Sequence, residues 1–377
     1  MGTTFSWHQG SVPVSPRWAL MPALLPDELI SSWLLRAAMR FGCDPKALCQ
    51  QIWPSWRFWT TDPDRGFDDE RLTSLMEASG VSANALQSAS LRGIAERVIR
   101  QPRPDKMTWA WILTLGTRGN TRQGGLQYCP RCLGEDETPH YRLHWRFAWH
   151  VGCQEHACTL HDRCWQCGAP LEPHRLVPED GDIATCGRCK ADLRAAPSAG
   201  VIEDAIAFQH MADHTLHTGH GMVLGEEAEA PDWFEVAHFI TGLIRNAYRS
   251  MGHNALSDLI IEVSGLNPQS LPIQPGMSLE RLSNRDRQWV LAIINRFMMM
   301  PRDDLVQALR HTGVSRQAFC PKHVTTPPLI VDLASGVPAT TKHDKTTKSP
   351  RTTGPRPRHE VVRMMNRLMR KLERERQ

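Results

Sequence analysis

Apolar residues recur at helical spacing along the first hundred positions of the chain. The phrase PDELISSWLLRAAMRFG predicts a helix over residues 26–42, which begins at Pro26 and ends at Gly42. The phrase CDPKALCQQIW predicts a second, shorter helix over residues 43–53. The apolar residues of the first helix fall on one face, as expected of a helix that packs against a core: Leu29, Trp33, Leu34 and Ala37.

Two further phrases each predict a helix, a glycine turn and another helix. The first is DDERLTSLMEASGVSANALQSASLRGIAERVIRQ, in which the turn lies at Gly80 and Ser82 is the N-cap of the second helix. The second is DDLVQALRHTGVSRQAFCPKH, in which the turn lies at Gly313. The pattern fits a helix-turn-helix, although plain helical hairpins share it. The side chains that would contact nucleic acid in such motifs are Ser82, Asn84, Gln87, Arg92 and Arg316.

The second half of the chain alternates between helical and irregular segments. Residues 231–320 predict helices, among them PDWFEVAHFITGLIRNAY and SNRDRQWVLAIINRFMMM. The histidine-rich phrase HMADHTLHTGHGM favours a solvated helix face that leads into a loop, rather than a metal site. Residues 324–358 are rich in Thr, Pro, Lys and Arg and predict disorder, whereas RHEVVRMMNRLMRKLERERQ predicts a basic amphipathic helix.

Charge is distributed unevenly along the 377 residues. The net charge is +4, but residues 342–377 hold 12 Lys or Arg and 4 Asp or Glu, which leaves 32 basic and 36 acidic residues in the body. The tail is therefore the clearest polyanion-binding feature at the level of bulk charge. Neither a secretory signal nor an apolar run long enough to span a membrane is visible, so we expect a cytoplasmic protein without a membrane partner.

Eight of the 11 cysteines lie between Cys129 and Cys189. In a reducing compartment, clustered cysteines more often bind metal than form disulfides. A two-residue gap lets two side chains from one tight turn reach the same tetrahedral zinc ion. The gap recurs in four pairs, which predict two zinc ions per chain: Cys129 with Cys132, Cys153 with His156, Cys164 with Cys167, and Cys186 with Cys189.

Sequential pairing of these four pairs gives one site of three thiolates and one imidazole, followed by an all-thiolate site. An interleaved arrangement, in which the first pair joins the third, remains an alternative. Cys158 and His161 are surplus, and either is an alternative to His156 as the eighth ligand. A catalytic zinc keeps an open position, whereas both predicted sites have four protein ligands, so we expect the metal to be structural.

Other catalytic patterns are missing from the sequence. Residues 116–125, GTRGNTRQGG, lack the G-K-[ST] of a nucleotide-binding loop and predict a flexible loop. The acidic run from Asp62 to Glu70 is better explained by helix N-terminal capping than by a two-metal nuclease site. The H-x-E and P-C-x-x-C combination of base deaminases is also absent. We therefore predict no enzymatic activity.

These patterns together predict a mainly α protein with small zinc-stabilised β or loop modules. Four segments are expected, in this order: an N-terminal helical domain with a helix-turn-helix-like region over 1–125, a tandem zinc-finger module over 126–195, a C-terminal helical domain over 196–323, and a disordered basic tail with a terminal amphipathic helix over 324–377.

The order of several phrases resembles one known family. P-D-E-L-x-x-S-W-L-x-R (Pro26 to Arg36) is followed by Y-C-P-R-C-L, then Y-R-x-x-W (Tyr141 to Trp145), then C-x-x-H-x-x-x-L and C-x-x-C-G. This order resembles the TniQ/TnsD family of bacterial transposon target-selection proteins, over about residues 20–195.

The resemblance implies a non-enzymatic adaptor that selects where a transposon inserts. Such proteins engage target DNA directly, or through an RNA-guided CRISPR effector with its guide RNA, and contact the AAA+ ATPase that recruits the transposase. It also implies a homodimer, zinc at the matched ligand pairs, and packing roles at the signature positions Trp33, Arg36, Tyr141 and Trp145. A zinc-containing transcription regulator that binds DNA alone is the alternative function, and a metalloenzyme is a third.

Overall fold

The computed structural model describes residues 18–100, 108–118, 121–249, 254–271, 277–321 and 324–337, together with Met365. These residues are mainly helical, and their strands form short antiparallel pairs, so the predicted fold class is confirmed. The chain divides into two units, residues 1–339 and 340–377. The terminal amphipathic helix that the sequence predicts lies outside the described residues, apart from Met365.

The N-terminal part of the chain holds five helices among the described residues: α1 (Ile30–Phe41), α2 (Pro45–Ile52), α3 (Asp69–Ser79), α4 (Ala83–Ser88) and α5 (Leu91–Val98). α2 agrees with its prediction, whereas α1 begins four residues later than predicted. The reason is long-range pairing, because the backbone N–H of Leu29 donates to Tyr141 and that of Leu143 donates to Asp27. Residues 26–29 are therefore held by backbone hydrogen bonds to the cysteine-rich segment, residues 116–195, and do not form the first turn of the helix.

The first predicted helix-turn-helix is interrupted. α3 ends at Gly80, whose φ of 70° requires the left-handed region, and Ser82 caps α4 by accepting from the backbone N–H of Ala85 at 3.4 Å. The predicted second helix then breaks, because Ser90 has an extended backbone and its hydroxyl donates to the carbonyl of Gln87 at 2.7 Å. Two short helices stand where the sequence predicted one.

The cysteine-rich segment is built from short elements: β1 (Gly116–Arg118), β2 (Thr121–Gln123), α6 (Pro130–Glu135), β3 (Gly152–Cys153) and β4 (Cys158–Thr159). β1 pairs with β2 and β3 pairs with β4, both antiparallel. The prediction of a flexible loop over residues 116–125 was therefore wrong, since its two arms form a hairpin.

The second half of the chain contains these elements: α7 (Glu203–Thr218), β5 (His220–Val223), β6 (Glu226–Glu229), α8 (Ala230–Arg249), α9 (Ala255–Ser264), α10 (Asn284–Met299), α11 (Arg302–His311), α12 (Arg316–Phe319) and α13 (Pro328–Ser335). The histidines of the phrase over residues 210–222 are exposed, as predicted, but a strand follows α7 in place of the predicted loop. The prediction of disorder over residues 324–358 was also wrong for residues 324–337, because α13 lies there and buries Ile330 and Leu333.

Two main apolar cores organise the described residues. The N-terminal helices enclose one core around Trp33, Trp53 and Leu75. A larger core continues from α5 through the cysteine-rich segment to α13, and its most voluminous buried side chains include Trp145 and Trp233. The four-segment division stays a prediction, and this larger core includes side chains from all four of its segments. No helix among the described residues is long and apolar enough to cross a bilayer.

Candidate metal centres

The first Cys/His cluster gathers side chains from three neighbouring elements. Cys129 is the N-cap of α6 and Cys132 lies in its first turn, so the P-R gap between them places both thiols at one helix end. Cys153 ends β3, and His156 lies in the turn before β4. Their four candidate ligand atoms all lie within 4.8 Å of one another.

The distances within this cluster suit one tetrahedral ion. The Nδ1 atom of His156 lies 3.4 Å from the Cys129 Sγ and 3.3 Å from the Cys132 Sγ, and the Sγ atoms of Cys132 and Cys153 are 3.5 Å apart. Ligands at about 2.3 Å from a tetrahedral zinc would be about 3.8 Å from one another. Hydrogen bonds from the Cys132 and Cys153 thiols lower the pKa of Cys129, and the contact with Cys129 raises the pKa of Cys132, so the group favours the thiolate at Cys129.

The two surplus side chains occupy different positions. Cys158 is buried, and its Sγ lies 3.7 Å from that of Cys129, next to the group of four but outside it. His161 stacks on Tyr128 with ring centroids 5.3 Å apart, and its Nε2 lies 3.1 Å from the Pro197 carbonyl oxygen. The geometry therefore favours His156 over His161 as the eighth ligand.

A carboxylate supports the histidine of the first cluster from behind. The Nε2 of His156, on the side of the ring opposite to the thiols, lies 2.9 Å from a carboxylate oxygen of Glu135 at the end of α6. Metal-bound histidines commonly donate their other ring N–H to a carboxylate, which fixes the orientation of the ring. Sequence analysis missed Glu135, because the spacing of the ligands does not show which acidic residue faces the histidine.

The second cluster is made of two knuckles with the same backbone geometry. In each knuckle the first cysteine's N–H donates to the carbonyl five residues later, from Cys164 to Ala169 and from Cys186 to Ala191. In each, the fourth residue after that cysteine has a positive φ, 66° at Gly168 and 62° at Lys190. The spacing C-x-x-C thus produces the same tight turn twice.

The four thiols of these knuckles converge on one point. The Sγ atoms of Cys164 and Cys189 are 3.6 Å apart, those of Cys167 and Cys186 are 3.9 Å apart, and all four lie within 4.8 Å of one another. The indole N–H of Trp165, in the first knuckle, donates to the Asp192 carbonyl beyond the second at 2.9 Å. The structure brings the ligand pairs together sequentially, so the interleaved alternative does not fit it.

Both clusters can therefore each hold one metal ion. The candidate ligand atoms are soft donors, namely seven thiols and one imidazole. This donor set fits zinc, which prefers sulfur and nitrogen ligands in tetrahedral geometry. The first cluster is almost completely buried, whereas Cys167 and Cys189 are exposed in the second. The ligand role of each residue is a prediction that this geometry supports.

A partly buried polar network joins the residues around Trp149 and His150 to α7. The Asp213 carboxylate of α7 accepts from the Trp149 indole at 2.8 Å and from Gln154 at 2.7 Å, and it lies 2.8 Å from the Nε2 of His150. Burial outweighs the neighbouring carboxylate and lowers the pKa of His150. His150 is therefore a neutral donor to Asp213 at neutral pH.

This network makes part of the stability depend on pH. Folding lowers the pKa of His150 below the ordinary histidine value of about 6.5. As the pH falls below about 6.5, the unfolded chain therefore binds more protons at this residue than the folded chain does. The contribution of His150 to the free energy of unfolding is complete above about pH 6.5 and decreases as the pH falls. We expect His150→Gln, which keeps a donor, to show a shallower loss of unfolding free energy from pH 7 to 5.5 than the unchanged chain. Urea titrations at several pH values would measure it, and identical slopes would contradict the assignment.

The predicted nucleic-acid contacts are exposed and lie on or next to three different helices. Ser82 caps α4, Asn84 and Gln87 lie on α4, Arg92 lies on α5, and Arg316 starts the four-residue helix α12. Gln87 and Arg92 line a cleft of about 320 Å³ together with two acidic side chains, those of Asp69 and Glu96. These five residues stay a prediction, and the cleft does not offer phosphates an excess of positive charge.

The signature positions of the sequence have packing roles. Trp33 is completely buried and its indole N–H donates to the Pro22 carbonyl at 2.8 Å. Arg36 pairs with the buried Glu28 at 2.6 Å, and the hydroxyl of Tyr141 donates to the Ile183 carbonyl at 3.1 Å. Ser32 accepts from the backbone N–H of Tyr141 at 2.9 Å, so the two separate phrases meet in space.

The chain thus joins an N-terminal helical region to two cysteine-rich clusters, each of which could hold one metal ion with four protein side chains. Residues 19–160 match the family model TniQ, the family that the sequence phrases resemble. The match includes the first cluster and ends before the second. No curated protein matches the chain.

Proposed function

We propose that this protein is a non-enzymatic target-site selector of a bacterial transposon. It links target DNA, directly or through an RNA-guided CRISPR effector, to the AAA+ ATPase that recruits the transposase. The observation that carries the proposal is the match of residues 19–160 to TniQ, whose members are transposition accessory proteins. We also propose that it acts as a homodimer in the cytoplasm, where its clustered thiols stay reduced.

Zinc has a structural role in this proposal. Seven cysteines and one histidine would hold two ions, and each ion would have four protein ligands and no open position for water. The stretch of chain between the two ligand pairs of the first cluster also contacts the segment that precedes α1, since Asp27 and Leu29 bond to residues 141–143. Zinc would thus hold a rigid platform for partners and carry out no reaction.

A pulldown with the AAA+ ATPase of the same transposon tests this function. We expect the full chain to retain the ATPase when target DNA and nucleotide are present, because an adaptor must contact both machineries. An AAA+ ATPase from an unrelated system is the matched control. Reproducible absence of the complex, with and without DNA and nucleotide, would contradict the proposal and favour a regulator that acts on DNA alone.

A further inference from the structure

A groove of about 530 Å³ lies where the N-terminal helices meet the segment that links the two knuckles of the second cluster. One wall consists of α2 and the 3-10 turn Phe58–Thr60, and the other is the 3-10 turn Pro173–Arg175. Neither the ligand sets nor the predicted helix-turn-helix includes it. We call it the aromatic–cationic groove, after the side chains that line it: Lys46, Trp56, Arg57, Trp59, His174 and Arg175.

Rigid rings form the apolar part of the groove. Trp56 and Trp59 are both half-buried, so each indole keeps part of its surface toward the cavity, while the Arg71 guanidinium lies over the Trp56 ring at 4.4 Å. The buried Phe58 ring lies edge-on between them, 5.1 Å from Trp56 and 4.8 Å from Trp59. His174 stacks on Trp59 at 5.6 Å with an interplanar angle of 19°. The rings are thus held in place before any ligand arrives.

The rim of the groove is positively charged. Lys46 and Arg57 are exposed, and neither pairs with a carboxylate among the residues that the structure describes. Arg175 does pair with a carboxylate, that of Glu172 at 3.0 Å, so these four charged side chains sum to two positive charges. This excess stands out because the chain before residue 342 has more acidic than basic residues, 36 against 32.

We propose that the aromatic–cationic groove binds unpaired nucleotides of a nucleic acid. Bases would pack on the indoles of Trp56 and Trp59, and phosphates would contact Lys46 and Arg57. Aromatic platforms with a cationic border are the usual means of holding single strands, since every base has a π-face and every linkage a negative charge. A duplex hides its bases in the stack and could use only the rim. The inference rests on the groove alone and does not require the transposition role.

Fluorescence anisotropy with a labelled 12-nucleotide thymidine oligomer tests the rim. We expect Lys46→Ala/Arg57→Ala to weaken binding about tenfold or more and to reduce the slope of log affinity against log salt by about 1.4, or about 0.7 for each lost phosphate contact. Arg40→Ala/Arg285→Ala removes two exposed charges elsewhere and is the matched control, which should bind as the unchanged chain does. Equal affinity of the groove variant and the control would overturn the proposal.

Photocrosslinking of the unchanged chain tests the aromatic part without depending on a variant that folds. An oligomer that carries 5-iodouracil should attach to Trp56, Trp59 or their ring neighbours, located by mass spectrometry of peptides. Attachment confined to other regions would overturn the proposal. So would a groove variant that keeps oligomer binding and loses the ATPase, because the groove would then dock a protein. Oligomer binding uses the purified chain alone, so its failure is distinguishable from failure of the ATPase pulldown.

Discussion

Replacing Cys132 with serine should reduce bound zinc from about two ions per chain to about one and unfold the region around the first cluster. The thiol of Cys132 lies within 3.5 Å of both Cys153 Sγ and His156 Nδ1. Its loss therefore removes one of the four ligands from the first cluster, which is the more buried of the two. A structural zinc site contributes on the order of 10 kcal/mol, comparable with the whole stability of a domain, about 5–15 kcal/mol.

Metal analysis and limited proteolysis of the Cys132→Ser chain would measure both effects. Cys320→Ser is the matched control, since Cys320 is half-buried and lies outside both clusters. We expect the control to keep two zinc ions and the protease resistance of the unchanged chain. A Cys132→Ser chain with two tightly held ions and an unchanged melting temperature would contradict the assignment of this ligand.

Replacing Arg146 with methionine should destabilise the chain by about 3–5 kcal/mol, because it leaves the fully buried carboxylate of Asp64 without its cation. Asp62, in contrast, keeps a pair with Arg65 at 3.4 Å. Arg146 is fully buried and donates to Asp62 at 2.6 Å, to Asp64 at 3.0 Å and to the Leu113 carbonyl at 2.9 Å. Asp64 also accepts from the backbone N–H and the hydroxyl of Ser31 in α1. The network therefore joins the N-terminal helices to the cysteine-rich segment.

The destabilisation should also depend on pH. Burial raises the pKa of Asp64 to about 6, and the Arg146 charge opposes that rise. Since the folded pKa exceeds the unfolded value of about 3.9, stability is lost as the pH rises between these values. Without the arginine the folded pKa is higher still, so this loss continues to higher pH. We expect the cost of Arg146→Met to be larger at pH 8 than at pH 5.5.

Urea unfolding at the two pH values would measure the cost of Arg146→Met. Arg296→Ala is the control, because Arg296 forms an exposed pair with Asp204 and such pairs contribute at most about 1 kcal/mol. Adding Asp64→Asn to Arg146→Met removes one unpaired charge and should recover part of the loss. Equal costs for the buried and the exposed arginine would show that the network does not stabilise the fold.

Features encoded by neighbouring residues could be predicted from the sequence. The C-x-x-C gap determines its own turn, which is why the two cysteines of each pair lie together. Long apolar periods likewise predicted α8 and α10, and Asp68 caps α3 as the capping interpretation of the acidic run requires. In each of these cases the decisive contacts are a few residues apart.

Features that depend on distant partners could not be predicted in this way. The same acidic run contains Asp62 and Asp64, which the capping interpretation explained wrongly, because their partner Arg146 lies about eighty positions later. Glu28 is buried under Arg36, and Asp213 gathers donors from the segment around His150. A carboxylate in a sequence does not reveal whether water or a buried cation will surround it.

X-ray absorption at the zinc edge of the purified full chain tests the central claim most directly, which is that both ions are closed structural sites. Seven cysteines and one histidine predict an average first shell of 3.5 sulfur atoms and 0.5 nitrogen atoms per zinc, at about 2.3 and 2.0 Å. We expect that shell, with two ions per chain and no oxygen ligand. A shell that contains a water oxygen, or fewer than three sulfur atoms per ion, would contradict the account.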